Sequence, residues 1–277
     1  MEFLGNSPKT FYRTLGISAN PTVSFAPETL DYKTRVEAVG GTIKPSSLTA
    51  IDNFILGAKA DGIWDSLVDV GVFAGDNLGT SLIKLKHPAS VQPTITNFNF
   101  VEGDYSESKG LKGDGLTKVL DSGLILSSHP ELLGACGVCI YITAGKGNDQ
   151  STQVGAEWVI LAHQYSASTT YYSAQGQNSH AVFSEANSSI IGLQSFDHTG
   201  NTARYYQNGQ LTDTEQIGSL YSDSKSFYIL GRNRAEFPQR CPRTVGFYAI
   251  KKGMSAAQEA ALYSRVHSLQ VALGRVA

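Results

Sequence analysis

The sequence predicts a mainly β chain: an antiparallel jelly-roll β-sandwich over residues 76–277, preceded by an extended N-terminal arm (1–30) and a small helical region (31–75), and closed by a C-terminal helix. Three observations predict it. From about residue 80 onward, short β-rich segments alternate with Gly, Asn, Asp and Ser, and no helical pattern interrupts them, which argues for a sandwich over an α/β fold. Asn208-Gly209 joins two such segments, and both central positions of a type I′ turn need the positive φ that Asn and Gly tolerate. One amphipathic helix stands alone at the end, with Leu262, Val266, Leu269 and Leu273 on one face.

The elements follow in order. Residues 1–30 carry Pro8, Pro21 and Pro27 without sustained periodicity and hold too little apolar surface to fold alone. Asp31 is an N-cap candidate for a short helix through Val36 and Val39, ended by Gly40-Gly41. Pro45-Ser46-Ser47 opens a second helix with a stripe of Leu48, Ile51, Ile55 and Ala58, widened by Phe54 and Leu56. Asp61-Gly62 breaks it, and Ile63, Trp64, Leu67 and Val68 continue the apolar pattern. This unit is too small to be stable alone and must pack on the sandwich or on another chain. Strands are expected at 95–101, 119–126, 138–143, 157–163, 169–174, 181–183, 189–196, 202–207, 210–213, 226–230 and 244–250. Gly110-Leu-Lys-Gly-Asp-Gly115 reads as a hairpin turn. Ser255 and Gln258 form a capping box for the last helix, and Gly274 is its C-terminal glycine.

Composition narrows the function. Of 277 residues, 28 are glycine and 13 tyrosine, which suits many turns and strands. A net charge of −2 gives no general attraction to nucleic acid or anionic membranes. No stretch approaches the roughly 18 apolar residues of a membrane span, so no insertion is expected. The opening Met1–Pro8 has no basic stretch leading into an apolar one, so no secretion leader is expected either. Cys136 and Cys139 are three apart on an expected strand, which points them to opposite faces. With Cys241 they read as buried free thiols rather than a metal or redox site.

Candidate sites are few. Glu102-Gly-Asp104-Tyr-Ser-Glu107 has the E-x-D-x-x-E spacing of retaining β-glucanases, where one strand face carries nucleophile and acid roughly 5 Å apart. Its neighbours Gly103, Ser106, Ser108 and Lys109 favour a solvated loop, so hydrolysis is one alternative reading, and a free lectin-like domain is the other. Triad and phosphate-loop motifs are absent, and neither a cofactor nor a metal is expected. A binding surface is better supplied. Tyr165, Tyr171, Tyr172 and Tyr206 offer rings that stack on sugars, with Asp197, His198, Arg204, Arg232, Asn233 and Arg234 as polar groups near loop ends. Asp197 and Asp213 are the carboxylates on which a calcium ion would draw. Phe11, Tyr12, Phe25 and Trp64 are assembly candidates, packing either on their own domain or on a neighbouring subunit.

Two segments carry a resemblance. Ile55-Leu-Gly-Ala-Lys-Ala-Asp-Gly-Ile-Trp64-Asp, Phe73-Ala-Gly75, Leu82-Ile-Lys-Leu-Lys-His-Pro88 and Gly110–Gly115 form the first. Val245-Gly-Phe-Tyr-Ala-Ile-Lys-Lys-Gly-Met254 and the helix to Leu273-Gly-Arg275 form the second, with Tyr205-Tyr-Gln-Asn-Gly-Gln210 beside it. Together they resemble phage and prophage virion proteins with a concanavalin-like (LamG-like) sandwich. Ile83-Lys84-Leu85-Lys86 stands where that family often has Asn-Leu-Lys. The resemblance implies a non-enzymatic tail, fibre, baseplate or capsid-decoration protein, located in the virion. Its implied partners are other virion proteins, further copies of itself as a homotrimer, and host-surface polysaccharide. It transfers no active site.

Overall fold

The computed structural model describes residues 24–145, 151–156, 160–166, 169–175, 180–185, 191–218, 224–234 and 239–276, with side chains left aside for 151–153 and 160–185. Two helices come first, α1 (Pro27–Ala38) and α2 (Pro45–Ala60). A 3-10 turn at Trp64–Ser66 leads into β1 (Leu67–Gly71), followed by the short α3 (Leu78–Ser81). Then come β2 (Thr96–Phe98), β3 (Tyr105–Ser106), β4 (Gly110–Lys112), β5 (Val119–Ile125), the short α4 (Pro130–Leu133) and β6 (Ala135–Ala144). Next are β7 (Ser151–Gly155), β8 (Ile160–Ser166), β9 (Thr169–Gln175), β10 (His180–Glu185), β11 (Gly192–Thr199), β12 (Thr202–Gln207) and β13 (Gln210–Gln216). β14 (Ser226–Ile229), β15 (Thr244–Lys252) and α5 (Ala256–Ala272) complete the order.

The strands form two antiparallel sheets of a jelly-roll sandwich. One runs β13-β12-β11-β6-β15-β4-β3, with β1 also on β15; the other runs β10-β9-β8-β7-β14-β5-β2. The chain passes repeatedly between the sheets, so sequence neighbours such as β5 and β6, or β14 and β15, lie in opposite layers. The mainly β class, the C-terminal helix and the small N-terminal helices are as the sequence predicts.

The first sheet is covered on both faces. Leu120, Leu124, Val154, Phe227 and Ile229 of one sheet pack with Val138, Ile140, Phe196, Val245 and Ile250 of the other. A second core lies beyond. There Cys139, Tyr141, Leu193, Phe247 and Ala249 meet Val36, Ile51, Phe54 and Ile55 of the first helices and Leu262, Val266 and Leu269 of α5. Double burial explains why β6 reads as a continuous apolar run without alternation. It also separates Cys136 and Cys139 into different cores, where burial pushes both thiols up to about 12. All three cysteines are buried, and none is in a disulfide among the described residues.

The helices start and stop for local reasons. α1 begins four residues before Asp31, because Pro27 at the first turn is pre-set for helix and Asp52 of α2 accepts from the Ala26 N–H (2.8 Å) and the Thr29 hydroxyl (2.6 Å). α2 opens at Pro45 as expected and buries Leu48, Ile51, Phe54, Ile55 and Ala58; Leu56 points outward. At its end Gly62 (φ 67°) turns the chain and the Ile63 N–H donates to Ala58 O at 2.9 Å. The apolar pattern after it is not helical. Leu67–Gly71 is strand β1, bulged between Leu67 and Asp69 so that Val68 and Val70 serve the two different cores.

The Gly110–Gly115 stretch is likewise no hairpin turn. Gly110–Lys112 is β4, paired to β15 and β3, and the backbone then passes hard against the chain after β14. A Cβ on Gly113 would sit 1.9 Å from the Cys241 carbonyl oxygen, while the Gly113 N–H donates to Arg243 O at 3.0 Å. Gly113→Ala therefore has to move backbone. It is expected to cost about 2–3 kcal/mol, read as a lower urea midpoint with an unchanged slope.

Candidate functional site

A buried cluster of charged groups lies on the helix-facing side of the first sheet, around the N-terminal end of α5. Asp197 of β11, Gly137 of β6 and Lys251 of β15 stand in one row across three strands, since Gly137 is the register partner of both charged residues. Glycine is required at the centre. A Cβ there would lie 2.6 Å from Lys251 Nζ. The lysine therefore crosses β6, and its ammonium donates to Asp197 Oδ2 (3.4 Å) and to Glu259 Oε1 of α5. All three side chains are fully buried.

Each carboxylate is held further. Asp197 Oδ2 accepts the Met254 N–H at 2.6 Å, and Oδ1 accepts the Thr199 hydroxyl at 3.0 Å. Glu259 Oε2 accepts the Ser195 hydroxyl at 2.9 Å. Burial works to lower the Lys251 pKa, but Glu259 and Asp197 outweigh it and hold it above the ordinary lysine value. Burial pushes the Glu259 carboxyl up, against the pull of Lys251.

A shallow depression of about 390 Å³ opens beside this cluster, lined by Thr199, Arg204, Tyr206, Leu211 and the Gly253–Ala256 turn. Arg204 is one-third exposed, with its guanidinium 4.0 Å from Asp197 Oδ1. Tyr206 is buried, and its hydroxyl has no hydrogen-bond partner among the described residues. The one-third exposed Arg204 guanidinium is the group in this depression that suits a hydroxyl-rich ligand or a polar peptide, since the Gly253, Met254 and Ser255 N–H groups already donate to Ala135 O, Asp197 and Gln258. A smaller depression of about 230 Å³, lined by Gly103–Ser106, Lys109, Gly110, Lys112 and Thr244, lies at the β3–β4 edge.

The sequence candidates are only partly brought together. Arg204 and Tyr206 share the depression. Asp197 is not at a loop end but under the depression, because its row partners draw it into the sheet. His198 faces away and is buried, its Nε2 2.8 Å from the Gly218 carbonyl oxygen. Arg232, Asn233 and Arg234 follow β14 in the other sheet, where Asn233 donates to the Ser226 carbonyl oxygen at 3.0 Å. Tyr165 lies on β8, and Tyr171 and Tyr172 on β9; their side chains fall outside the described residues, as do Phe11 and Tyr12 altogether. Phe25 is half-buried. Trp64 is not available to a partner: it is 7% exposed, with the Lys86 ammonium 4.7 Å from its ring centroid. Asp213 lies on β13, two strands from Asp197, and accepts the Thr214 N–H. Among the described residues no group of His, Cys, Asp and Glu is arranged to hold a metal.

The acid trio does not form a strand face. Glu102–Asp104 is a 3-10 turn. Glu102 accepts the Leu78 N–H through both oxygens (3.1 and 3.0 Å). Asp104 pairs with Lys118 at 2.6 Å, and that ammonium and the Val101 N–H overcome its desolvation to lower its pKa. Glu107 binds Lys44 at 2.6 Å and the Ser47 hydroxyl at 2.8 Å. Glu102 and Glu107 thus tie loops to helices, and Asp104 ties one loop to another.

Lys251 and Glu259 are the residues that sequence reasoning missed. A signal existed for each. Lys251 directly follows the apolar run Val245–Ile250, and Glu259 sits at the position of the α5 stripe that precedes Leu262 and Val266. A charge at an apolar position of a periodic pattern is the cue.

No family model matches the sequence, and no curated protein does. Solved structures with distant similarity include the botulinum neurotoxin serotype D binding domain, at 11% identity and TM-score 0.48 over 72% of this chain and 52% of that one. A Trypanosoma rangeli sialidase mutant displaying trans-sialidase activity gives 10% and 0.47 over 80% and 39%. The binding domain of botulinum neurotoxin DC in complex with rat synaptotagmin II gives 12% and 0.47 over 73% and 52%. This chain thus spans about half or less of their length.

Proposed function

We propose that the chain is a non-enzymatic structural protein of a bacteriophage virion, in a tail, fibre, baseplate or capsid-decoration position, whose sandwich binds host-surface glycan or a neighbouring virion subunit. The observation that supports this reading is the use made of the motifs behind the resemblance. Trp64 of Gly-Ile-Trp and Lys86 of the later Leu-Lys-His-Pro touch each other, and Lys86 Nζ also donates to Trp64 O at 2.6 Å. The Asn208-Gly209 turn lies against α5, where a Gly209 Cβ would be 2.9 Å from Ala260 and Tyr263. Gly274 (φ 73°) ends that helix and sends Arg275 inward. These residues fasten a helical layer onto a sheet, while Gly110, Lys112, Tyr206, Gly253 and Met254 of the same segments line the two depressions. A signature made largely of scaffold contacts supports a building block that also carries a binding surface.

Arg204, one-third exposed at the rim of the larger depression, is the glycan-contacting residue in this reading, with the buried Tyr206 ring beneath it. Arg204→Ala is expected to weaken adsorption to host-surface polysaccharide about tenfold, measured by pull-down of the purified chain with host envelope material. The chain is expected to co-sediment with particles in a density gradient. Its absence from them, or turnover of a β-glucan that Glu102→Gln abolishes, would sink the proposal.

A further inference from the structure

We propose that Lys251 and Asp197 form an intramolecular isopeptide bond, with Glu259 as the proton carrier. The inference is independent of what the sandwich binds. It rests on the row Asp197–Gly137–Lys251, in which the side-chain-free glycine brings an amine and a carboxyl together over the middle strand. Nζ stands 3.4 Å from Asp197 Oδ2, within a fully buried site from which competing water is excluded.

The surrounding groups match the needs of a condensation. Glu259 Oε1 holds the ammonium of Lys251 and is placed to take its protons. The Thr199 hydroxyl on Oδ1 and the Met254 N–H on Oδ2 draw electron density from the Asp197 carboxyl carbon, which makes that carbon the electrophile. Glu259 removes a proton from Lys251, and Nζ attacks Asp197 Cγ. The Nζ–Cγ bond forms. Glu259 delivers that proton, and the second one the nitrogen sheds, to Oδ2. The Cγ–Oδ2 bond breaks and Oδ2 leaves as water. Oδ1 remains as the amide oxygen, still facing the Thr199 hydroxyl, and Glu259 ends as it began. No oxidant, reductant or cofactor enters. The reaction also replaces a buried ion pair, which carries a desolvation penalty, by a neutral amide.

A second buried pair provides an internal comparison. Lys84 Nζ is closer to its partner, 2.6 Å from Asp69 Oδ2, but its other acceptor is the Ser122 carbonyl oxygen and no second carboxylate contacts it among the described residues. Lacking a proton carrier, it remains an ion pair.

Intact-mass spectrometry of the full chain under denaturing conditions tests this. The expected mass is one water below that of the sequence, and proteolysis should yield one branched peptide joining Lys251 to Asp197. Lys251→Arg and Glu259→Gln are expected at their full masses. Asp197→Asn should expel ammonia and so finish at the same mass as the linked parent chain, an outcome that ion pairing alone does not give. The unmodified parent mass, an ion pair only, overturns the proposal whatever the variants do. So does a branched peptide joining Lys84 to Asp69, or Lys251 to Glu259.

Discussion

Arg275→Ala is expected to lower the stability of the fold by about 4 kcal/mol, the range reached when several charge-assisted hydrogen bonds in a buried site are lost together. Arg275 is 8% exposed, and its guanidinium serves four separate parts of the chain. Nε donates to Glu107 O (2.7 Å), and Nη1 donates to Val72 O (3.1 Å), Gly246 O (2.7 Å) and Gln270 Oε1 (3.0 Å). Nη2 donates to Phe73 O at 2.5 Å. Burial pulls its pKa down to about 10, still well above neutrality, so the cation persists under ordinary conditions. Its loss takes this donor from the Val72 and Phe73 carbonyl groups at the β1 exit and leaves Gly246 O of β15 with only the longer Gln270 contact in a dry site. Calorimetry should show the midpoint falling by about 10 °C, at roughly 2–4 °C per kcal/mol for a chain of this size. Arg275→Lys should recover little, because one ammonium cannot reproduce a planar fork. A shift under about 2 °C for the alanine variant would show that the clamp is not integral to the fold.

Lys84→Met is expected to cost about 3–5 kcal/mol, because it strands a buried carboxylate. Asp69 and Lys84 are both fully buried, and the Tyr248 hydroxyl donates to the other Asp69 oxygen at 2.6 Å. The pH dependence has a definite sign. Burial already pushes the Asp69 carboxyl above its ordinary value, and removing Lys84 removes an opposing pull. A carboxyl raised in the folded state contributes stability below its unfolded pKa and loses it as pH rises through the folded one. The deficit of Lys84→Met should therefore be largest at neutral pH and shrink as the pH falls toward the carboxylate range. The double variant with Asp69→Asn should regain much of the loss, since the amide oxygen still accepts from Tyr248. Urea melts of the parent and both variants at two pH values read all of this. A deficit that is independent of pH would refute the stranded-charge account.

The fold was legible in the sequence where the determinants are local. Asn208 and Gly209 take φ of 50° and 75° in the hairpin they suggest. Ser255 and Gln258 form the reciprocal capping box, and Leu262, Val266, Leu269 and Leu273 are buried. Short elements with distant partners were not legible. β1 lies in Leu-Val-Asp-Val-Gly, which suits either a helix or a strand, and its pairing with β15, at the far end of the sequence, decides between them. β3 and β4 are two and three residues long and hide in a glycine-rich stretch. The same limit governs the site. Arg204 and Tyr206 stood out as polar and aromatic, whereas the row through Gly137 exists only in the register of three strands that are remote in sequence. Asp197 read as a loop-end residue because nothing in its own neighbourhood announces Lys251.

The order of the strands also sets a schedule for synthesis. β6 lies at the centre of its sheet, yet one of its neighbours is β15, so Thr244 must reach Ala144 across a hundred residues of sequence. At about 5–20 residues per second, a ribosome leaves that side of β6 unpaired for roughly 5–20 s. β15 and α5 are the last described elements, and they supply the missing neighbour and much of the outer cover together. Until then the nascent chain exposes an apolar strand with an open edge. Slow elongation, or a stall between β14 and β15, should therefore favour aggregation, and chaperone demand should fall once α5 has emerged.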